Sequence, residues 1–255
     1  MMGCEALHCV CVHTGGYLSE EYPKRLVSMV RRNYSGDLRF TCFADRPLEL
    51  PGWVDVVDVS SWGLKGTHPK LRLFDKTVLD TPHLVLDTTV VVLKPLEPLI
   101  EIMQSSSAPL VLQRDWFYDC LNGSVRSCRP SDETDQIWRS YEAGEKFDTA
   151  PGKWERHYGE QDFIWGALKK VNLLDEVEWI PEGMVASFKG IRRAKARSAR
   201  SAAEQLERAI ILKFHGEPKQ HQILAPGYTW GCIRRWPFRP WVWGYLKSRV
   251  RECWR

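Results

Sequence analysis

Residues 83–99 read His-Leu-Val-Leu-Asp-Thr-Thr-Val-Val-Val-Leu-Lys-Pro-Leu-Glu-Pro-Leu, and they constrain the chain more than any other stretch. The apolar run 84–86 stops at a carboxylate, Asp87. A β-branched run, residues 88–92, follows at once, and Pro95 closes it. Continuous apolar runs of this length suit strands buried on both faces, as in a sheet covered by helices. A carboxylate where such a strand ends is costly to bury without a partner. The C-terminal edge of an open α/β sheet is also where ligands bind. Asp87 is therefore expected to face a cation, a sugar hydroxyl or a basic side chain; the alternative is an aspartate that caps the next turn.

The chain on either side supports a sheet of that kind. Residues 7–13 read as a first strand, followed by Thr14-Gly15-Gly16, whose glycines let backbone approach a ligand closely. Ser19 can cap a helix with Glu20 and Glu21 in its first turn, and Leu26, Val27 and Val30 share one helical face. Residues 38–44 read as a second strand, with Asp45 directly after it, and residues 53–59 as a weaker third. Residues 69–79 read as a helix with Leu71, Phe74 and Val78 on one face. Strand–helix alternation of this type predicts an α/β domain with a mixed, mainly parallel sheet flanked by helices.

The second half is less regular. It predicts a short strand over 109–113, a turn at Asn122-Gly123-Ser124-Val125 leading into an extended segment, and a loop-rich segment over 129–157. A helix is expected over 161–170, a strand over 177–181, a basic helix or hairpin over 190–208, and a strand over 209–214 ending at His215-Gly216. From Trp230 onward Trp and Phe alternate with Arg and Pro. The organisation read from sequence is thus one domain over 1–229 and a basic aromatic tail over 230–255.

Charge and cysteine usage narrow the function classes. The net charge is only +4, but residues 189–200 carry six Lys or Arg and no acid, and residues 234–255 carry seven against one acid, Glu252. Such asymmetry suits phosphate-bearing partners or an anionic membrane surface, or else marks solvated basic faces. The eight cysteines have no zinc spacing and read as buried reduced thiols, which points to the cytoplasm, with the tail offering a peripheral membrane contact. Residues 7–12 are too short, and broken by His8, for a signal peptide. No stretch approaches the roughly 18 apolar residues of a membrane span.

At Asp87 the residues become familiar. The segment 84–96 resembles the signature of GT-A glycosyltransferases, close to family 8 (glycogenin-like) and family 32, in which a strand ends in Asp-x-Asp followed by an aliphatic run and Leu-Lys-Pro-Leu. Ungapped, Asp87 takes the first Asp and Thr89 the second. Residues 39–45 (Arg-Phe-Thr-Cys-Phe-Ala-Asp), 122–125, 159–162 (Gly-Glu-Gln-Asp), 187–189 (Ser-Phe-Lys) and 214–219 (Phe-His-Gly-Glu-Pro-Lys) resemble further family segments in the family's order. The likeness covers roughly residues 7–224, and order and spacing carry it rather than any single piece.

The resemblance implies transfer of a sugar from a nucleoside-diphosphate sugar, with UDP as the expected nucleotide, to a glycan, lipid or protein acceptor, with retention. It implies a divalent cation, Mn²⁺ or Mg²⁺, with Asp87 and His215 as ligands. Lys70, Asp87, Asn122, Gly216 and Lys219 are the implied donor contacts, with Lys219 on the diphosphate and Asp45 near the nucleoside. Gln161 near the anomeric carbon and Asp162 near the sugar or acceptor are the implied catalytic residues, although Asp162 also suits simple helix capping. Two positions depart from the pattern: Gln220, where the family has Pro, and Thr89, whose neutral hydroxyl is a weak metal ligand and leaves the cation weakly bound or dispensable. A catalytically degenerate GT-A fold that binds sugar or nucleotide is the alternative function. No nucleic-acid partner is expected.

Overall fold

The computed structural model describes residues 6–152, 158–191, 199–226 and 240–255. Strands β1 (Leu7–His13), β2 (Leu38–Ala44), β3 (Val54–Asp58), β4 (His83–Leu86), β5 (Val90–Val92), β6 (Leu110–Arg114), β7 (Leu121–Cys128), β8 (Glu178–Trp179), β9 (Val185–Ser187) and β10 (Ile211–Lys213) form two sheets. The helices are α1 (Glu21–Arg32), α2 (Glu97–Ser105), α3 (Asp132–Glu142), α4 (Glu160–Lys170), α5 (Ala199–Arg208), α6 (Gln220–Leu224) and α7 (Pro240–Cys253). The chain divides into two compact units: residues up to 24, 36–88 and 101–180 make the first, and residues 25–35, 89–100 and 181–255 the second.

The first unit holds the seven-stranded sheet, in the order β3-β2-β1-β4-β7-β6-β8. β1, β2, β3 and β4 run parallel, β7 is antiparallel to both β4 and β6, and β8 returns parallel to β6. This is the mixed, mainly parallel α/β sheet that the apolar runs predict. β4 is buried at every position, and six of the seven residues of β1 are buried. Val10, Phe43, Leu73 and Val85 make one apolar cluster. A larger one joins Leu71, Phe74, Leu110, Leu112, Leu121, Ile137, Trp138, Phe163, Ile164 and Leu168.

The local structure departs from the sequence expectation in three places of this unit. The helix expected over 69–79 is a 3-10 segment, His68–Phe74, which ends where the Asp75 carboxylate accepts the Thr77 N–H at 3.0 Å. The segment expected to be loop-rich contains α3. Ser131 and Thr134 close a reciprocal cap at its start, three acids occupy its first turn, and Ile137 and Trp138 are buried from it. Asn122-Gly123-Ser124-Val125 is not a turn but the interior of β7. Its glycine has a packing cause, since a Cβ at Gly123 would lie 2.5 Å from Glu160 Oε1.

The second unit holds the three-stranded sheet β5-β10-β9, with β10 antiparallel to β5 and parallel to β9. The stretch 83–92 is thus two strands in two sheets, divided at residues 87–89. Phe188 stacks on Phe214 at 4.6 Å. Leu246 and Val250 of α7, and Trp254 just past its end, are buried at a spacing of four. The Trp254 indole lies 4.3 Å under the Arg25 guanidinium, which also donates to the Trp254 carbonyl at 2.7 Å. The aromatic tail expected from residue 230 therefore includes a helix packed by its apolar stripe, while residues 227–239 lie outside the described residues. No helix among the described residues is long and apolar enough to cross a membrane. The six described cysteines are free thiols.

Candidate active site

Asp87 stands where β4 ends, as its place after the apolar run predicts, and its own N–H donates to the Ser124 carbonyl at 2.9 Å. The basic partner is Lys70, carried by the 3-10 segment. Its Nζ donates to Asp87 Oδ1 at 2.6 Å and to Glu160 Oε1, on the first turn of α4, at 2.7 Å. Lys70 is 8% exposed and Glu160 6%. Burial works against the Lys70 charge, but the two carboxylates outweigh it and hold the ammonium above the usual lysine range.

A second cation completes the cluster. Arg126, on β7, is buried; it donates to the Gly123 carbonyl at 3.2 Å and to the Lys70 carbonyl at 2.8 Å, with its guanidinium 5.0 Å from the Phe74 ring centroid. Burial lowers its pKa, opposed by the charges of Glu160 and Asp87. Two carboxylates, Asp87 and Glu160, and two cations, Lys70 and Arg126, thus lie buried in one cluster of the first unit. Tyr17 senses the same charges: desolvation of its hydroxyl and the Asp87 carboxylate push its pKa up. Its loop is set by Gly15 and Gly16, both at positive φ, with the Gly15 N–H donating to Asp45 Oδ2 at 2.7 Å. Asp45 thus fixes the glycine loop.

Other expected residues have structural partners in the same unit. Asn122 donates to Asp115 Oδ2 at 2.7 Å and accepts the Ser124 N–H at 3.2 Å. Asp162 is fully buried and accepts the N–H of Ala150 at 3.0 Å and of Gly159 at 3.1 Å, so the capping alternative describes its contacts. Gln161 is half-buried, its Nε2 3.7 Å from Cys120 Sγ. The structure thus brings Lys70 and Asp87 together. It adds Glu160 and Arg126, neither of which was singled out from sequence. Glu160 carried a signal, an acid at a helix start within the Gly-Glu-Gln-Asp segment; Arg126, inside a strand with turn-like composition, carried none.

The remaining residues belong to the second unit. Lys213 ends β10, and its Nζ donates to the Thr89 hydroxyl at 2.8 Å; the two residues are 7% and 5% exposed. His215 follows, then Gly216 at φ +52°, where a Cβ would lie 3.5 Å from Lys189 Nζ. Lys219 is buried and starts α6, its N–H donating to Gln222 Oε1 at 2.6 Å.

The cation is expected on Asp87 and His215, which belong to different units, with Thr89 in place of a second carboxylate. Asp87 Oδ1 is taken by an ammonium, and Thr89 offers a hydroxyl already bonded to another ammonium. Among the described residues no three of His, Cys, Asp and Glu converge on a metal position.

Comparison with known structures places the architecture: the chain has the fold of GT-A glycosyltransferases. The galactosyltransferase LgtC, solved with donor and acceptor sugar analogs, superposes with a TM-score of 0.58 at 13% identity, over 97% of this chain and 96% of that one. An LgtC active-site variant with glutamine replaced by glutamate gives a TM-score of 0.58 at 12% identity, over 96% of each chain. The apo bifunctional glycosyltransferase WbbM gives 0.57 at 10% identity over 84% of this chain, which spans only 46% of the WbbM chain. Mouse xyloside xylosyltransferase 1 gives 0.51 at 12% identity, over 83% of this chain and 98% of that one. No protein-family profile matches the sequence, and no curated protein matches it in sequence.

Proposed function

We propose that this protein transfers a sugar from a nucleoside-diphosphate sugar to an acceptor hydroxyl, with retention at the anomeric carbon. The observation that carries the reading is the buried Lys70–Asp87–Glu160 cluster at the C-terminal end of β4. A strand end of this kind is the ligand-binding edge of an α/β sheet, and paired buried charge there is a preorganised polar surface. In the reaction the bond from the anomeric carbon to the diphosphate oxygen breaks, and its electron pair leaves with the diphosphate. The acceptor oxygen bonds the same face and releases its proton to the leaving diphosphate.

In this reading Lys70 and Asp87 orient the donor's hydroxyls, Gly216 admits the diphosphate close to backbone, and Lys219 binds it. Gln161 stands near the anomeric carbon; that LgtC has an active-site glutamine supports this role. Asn122 and Asp162 act by holding the segments that carry the site. No step is routed through a metal.

The test is release of nucleoside diphosphate from a panel of UDP-, GDP-, ADP- and CMP-sugars, with simple sugars as acceptors. One donor is expected to be turned over by the wild type and not by Asp87→Asn, whose folding circular dichroism checks. A donor that binds without turnover supports the binding-module reading, which the missing carboxylate at Thr89 favours. A panel with neither binding nor turnover refutes both.

A further inference from the structure

We infer that the acceptor is a carbohydrate and that it stands on the loop between β6 and β7, residues 115–120, which reads Asp-Trp-Phe-Tyr-Asp-Cys; the acceptor role rests on the transfer reading above. The sheet places this loop. β7 is antiparallel to both β4 and β6, so β4 and β6 run the same way and end at the same edge. β7 starts at that edge, beyond the end of β4. The Asp87 N–H donates to the Ser124 carbonyl, and Asn122 lies two residues further out, roughly 7 Å along the strand. The loop and the charged cluster thus share one edge of one sheet, inside the first unit.

Residues of the candidate site hold the loop. Asp115 Oδ1 accepts the N–H of Phe117 at 2.8 Å and of Tyr118 at 3.2 Å, while its Oδ2 accepts from Asn122 Nδ2 at 2.7 Å. Cys120 Sγ, at the loop's end, lies 3.7 Å from Gln161 Nε2. Asp162 accepts the Ala150 N–H, the Pro151 carbonyl accepts the Asp119 N–H at 2.8 Å, and Tyr118 pairs with Gly152 in an isolated bridge. With Gln161 near the anomeric carbon, the loop is fixed beside the bond that breaks. Trp116, Phe117 and Tyr118 are half-buried, and Asp119 is exposed. The Tyr118 ring fills the space that a Cβ at Gly152 would need, so it braces the loop. Trp116 and Phe117 give the loop a partly open aromatic surface. A sugar ring has an apolar face of C–H groups and a rim of hydroxyls. The face suits aromatic rings, and the rim suits a carboxylate acceptor such as that of Asp119. A lipid phosphate would instead meet like charge at Asp115 and Asp119.

The experiment is saturation-transfer NMR on the full-length protein with lactose, maltose, cellobiose and chitobiose, each alone and with UDP, GDP, ADP or CDP, followed by titration of any sugar that binds. At least one disaccharide is expected to bind. Trp116→Ala is expected to weaken that binding by about tenfold, and Trp116→Phe by much less. Asp119→Asn, at an exposed position, is expected to weaken it by about threefold, as for loss of a charge-assisted hydrogen bond. None of these changes is expected to alter the Kd of a nucleoside diphosphate by more than about twofold. Absence of disaccharide binding in every condition overturns the inference, and so does binding that Trp116→Ala and Asp119→Asn both leave unchanged. If Trp116→Ala does not fold, Asp119→Asn and Trp116→Phe decide. Transfer onto a lipid or a peptide hydroxyl with no disaccharide bound refutes this inference and leaves the transfer reading standing. A disaccharide bound through the loop with no nucleotide sugar turned over does the opposite: the transfer reading fails, and the acceptor role falls with it.

Discussion

Lys70→Met separates charge from packing at the centre of the candidate site. Methionine keeps an unbranched stem against the apolar walls and removes the ammonium. Four charges of the cluster become three: Asp87 and Glu160 remain, and its other cation, Arg126, donates to the carbonyls of Gly123 and residue 70. Removing one partner of a buried ion pair costs about 3–5 kcal/mol, since the other charge stays buried without compensation. At roughly 2–4 °C per kcal/mol for a chain of this size, the melting temperature should fall on the order of 10 °C. The second variant fixes the cause. Glu160→Gln in the Lys70→Met background removes the excess negative charge at nearly constant shape, and should recover about 1–3 kcal/mol. Protonation can do the same work: the excess carboxylate charge in Lys70→Met raises a carboxyl pKa in the folded state, so the gap to wild type should narrow as pH falls. Urea unfolding followed by tryptophan fluorescence, across a pH series, measures all three. A loss under about 1 kcal/mol, or a double variant as unstable as the sum of the singles, would refute an energetically coupled cluster.

Two further outcomes follow from the first unit. His8 and His83 are buried, and burial above all pushes both pKa values down to about 4 from 6.5. The unfolded chain then takes up protons that the folded one refuses, so stability is complete above pH 6.5 and falls from there toward pH 4, by up to about 1.4 kcal/mol per pH unit for each histidine; His83→Gln should flatten that slope, and an unchanged slope would contradict the assignment. Gly123→Ala places a methyl 2.5 Å from Glu160 Oε1 and should cost about 1–3 kcal/mol by overpacking. In a Glu160→Ala background the same change should be nearly free, and an equal cost in both backgrounds would mean that the clash lies elsewhere.

The fold was legible where the sequence pattern has one physical cause. β1, β2 and β4 are buried on both faces, so their apolar runs are nearly unbroken and read as central strands. α3 was not legible, because an acidic surface hides the few positions, Ile137 and Trp138 among them, that it buries. The segment at Asn122-Gly123-Ser124 failed for a different reason. Its glycine sits where Glu160 packs on the strand, and a contact between residues so far apart in sequence leaves no local mark. The 3-10 segment holding Lys70 has the apolar spacing of a helix, but Asp75 bonds its own following backbone and stops the turn from continuing.

The site divides along the same line. Asp87 could be found from sequence because a carboxylate at the end of a buried strand demands compensation, whatever the partner. The partner could not, because charge balance is settled in three dimensions: Lys70 lies 17 positions from Asp87 and 90 from Glu160. Thr89 shows what that costs a reading made from motifs alone. Taken by itself it is a lost metal ligand and points to a weakened or inactive site. Set beside Lys213, 124 positions away, it is the hydroxyl that accepts from a buried ammonium. A carboxylate at residue 89 would meet the ammonium of Lys213 as an ion pair, where the hydroxyl meets it as a hydrogen bond. The two positions form one electrostatic unit, and the role of neither can be assigned without the other.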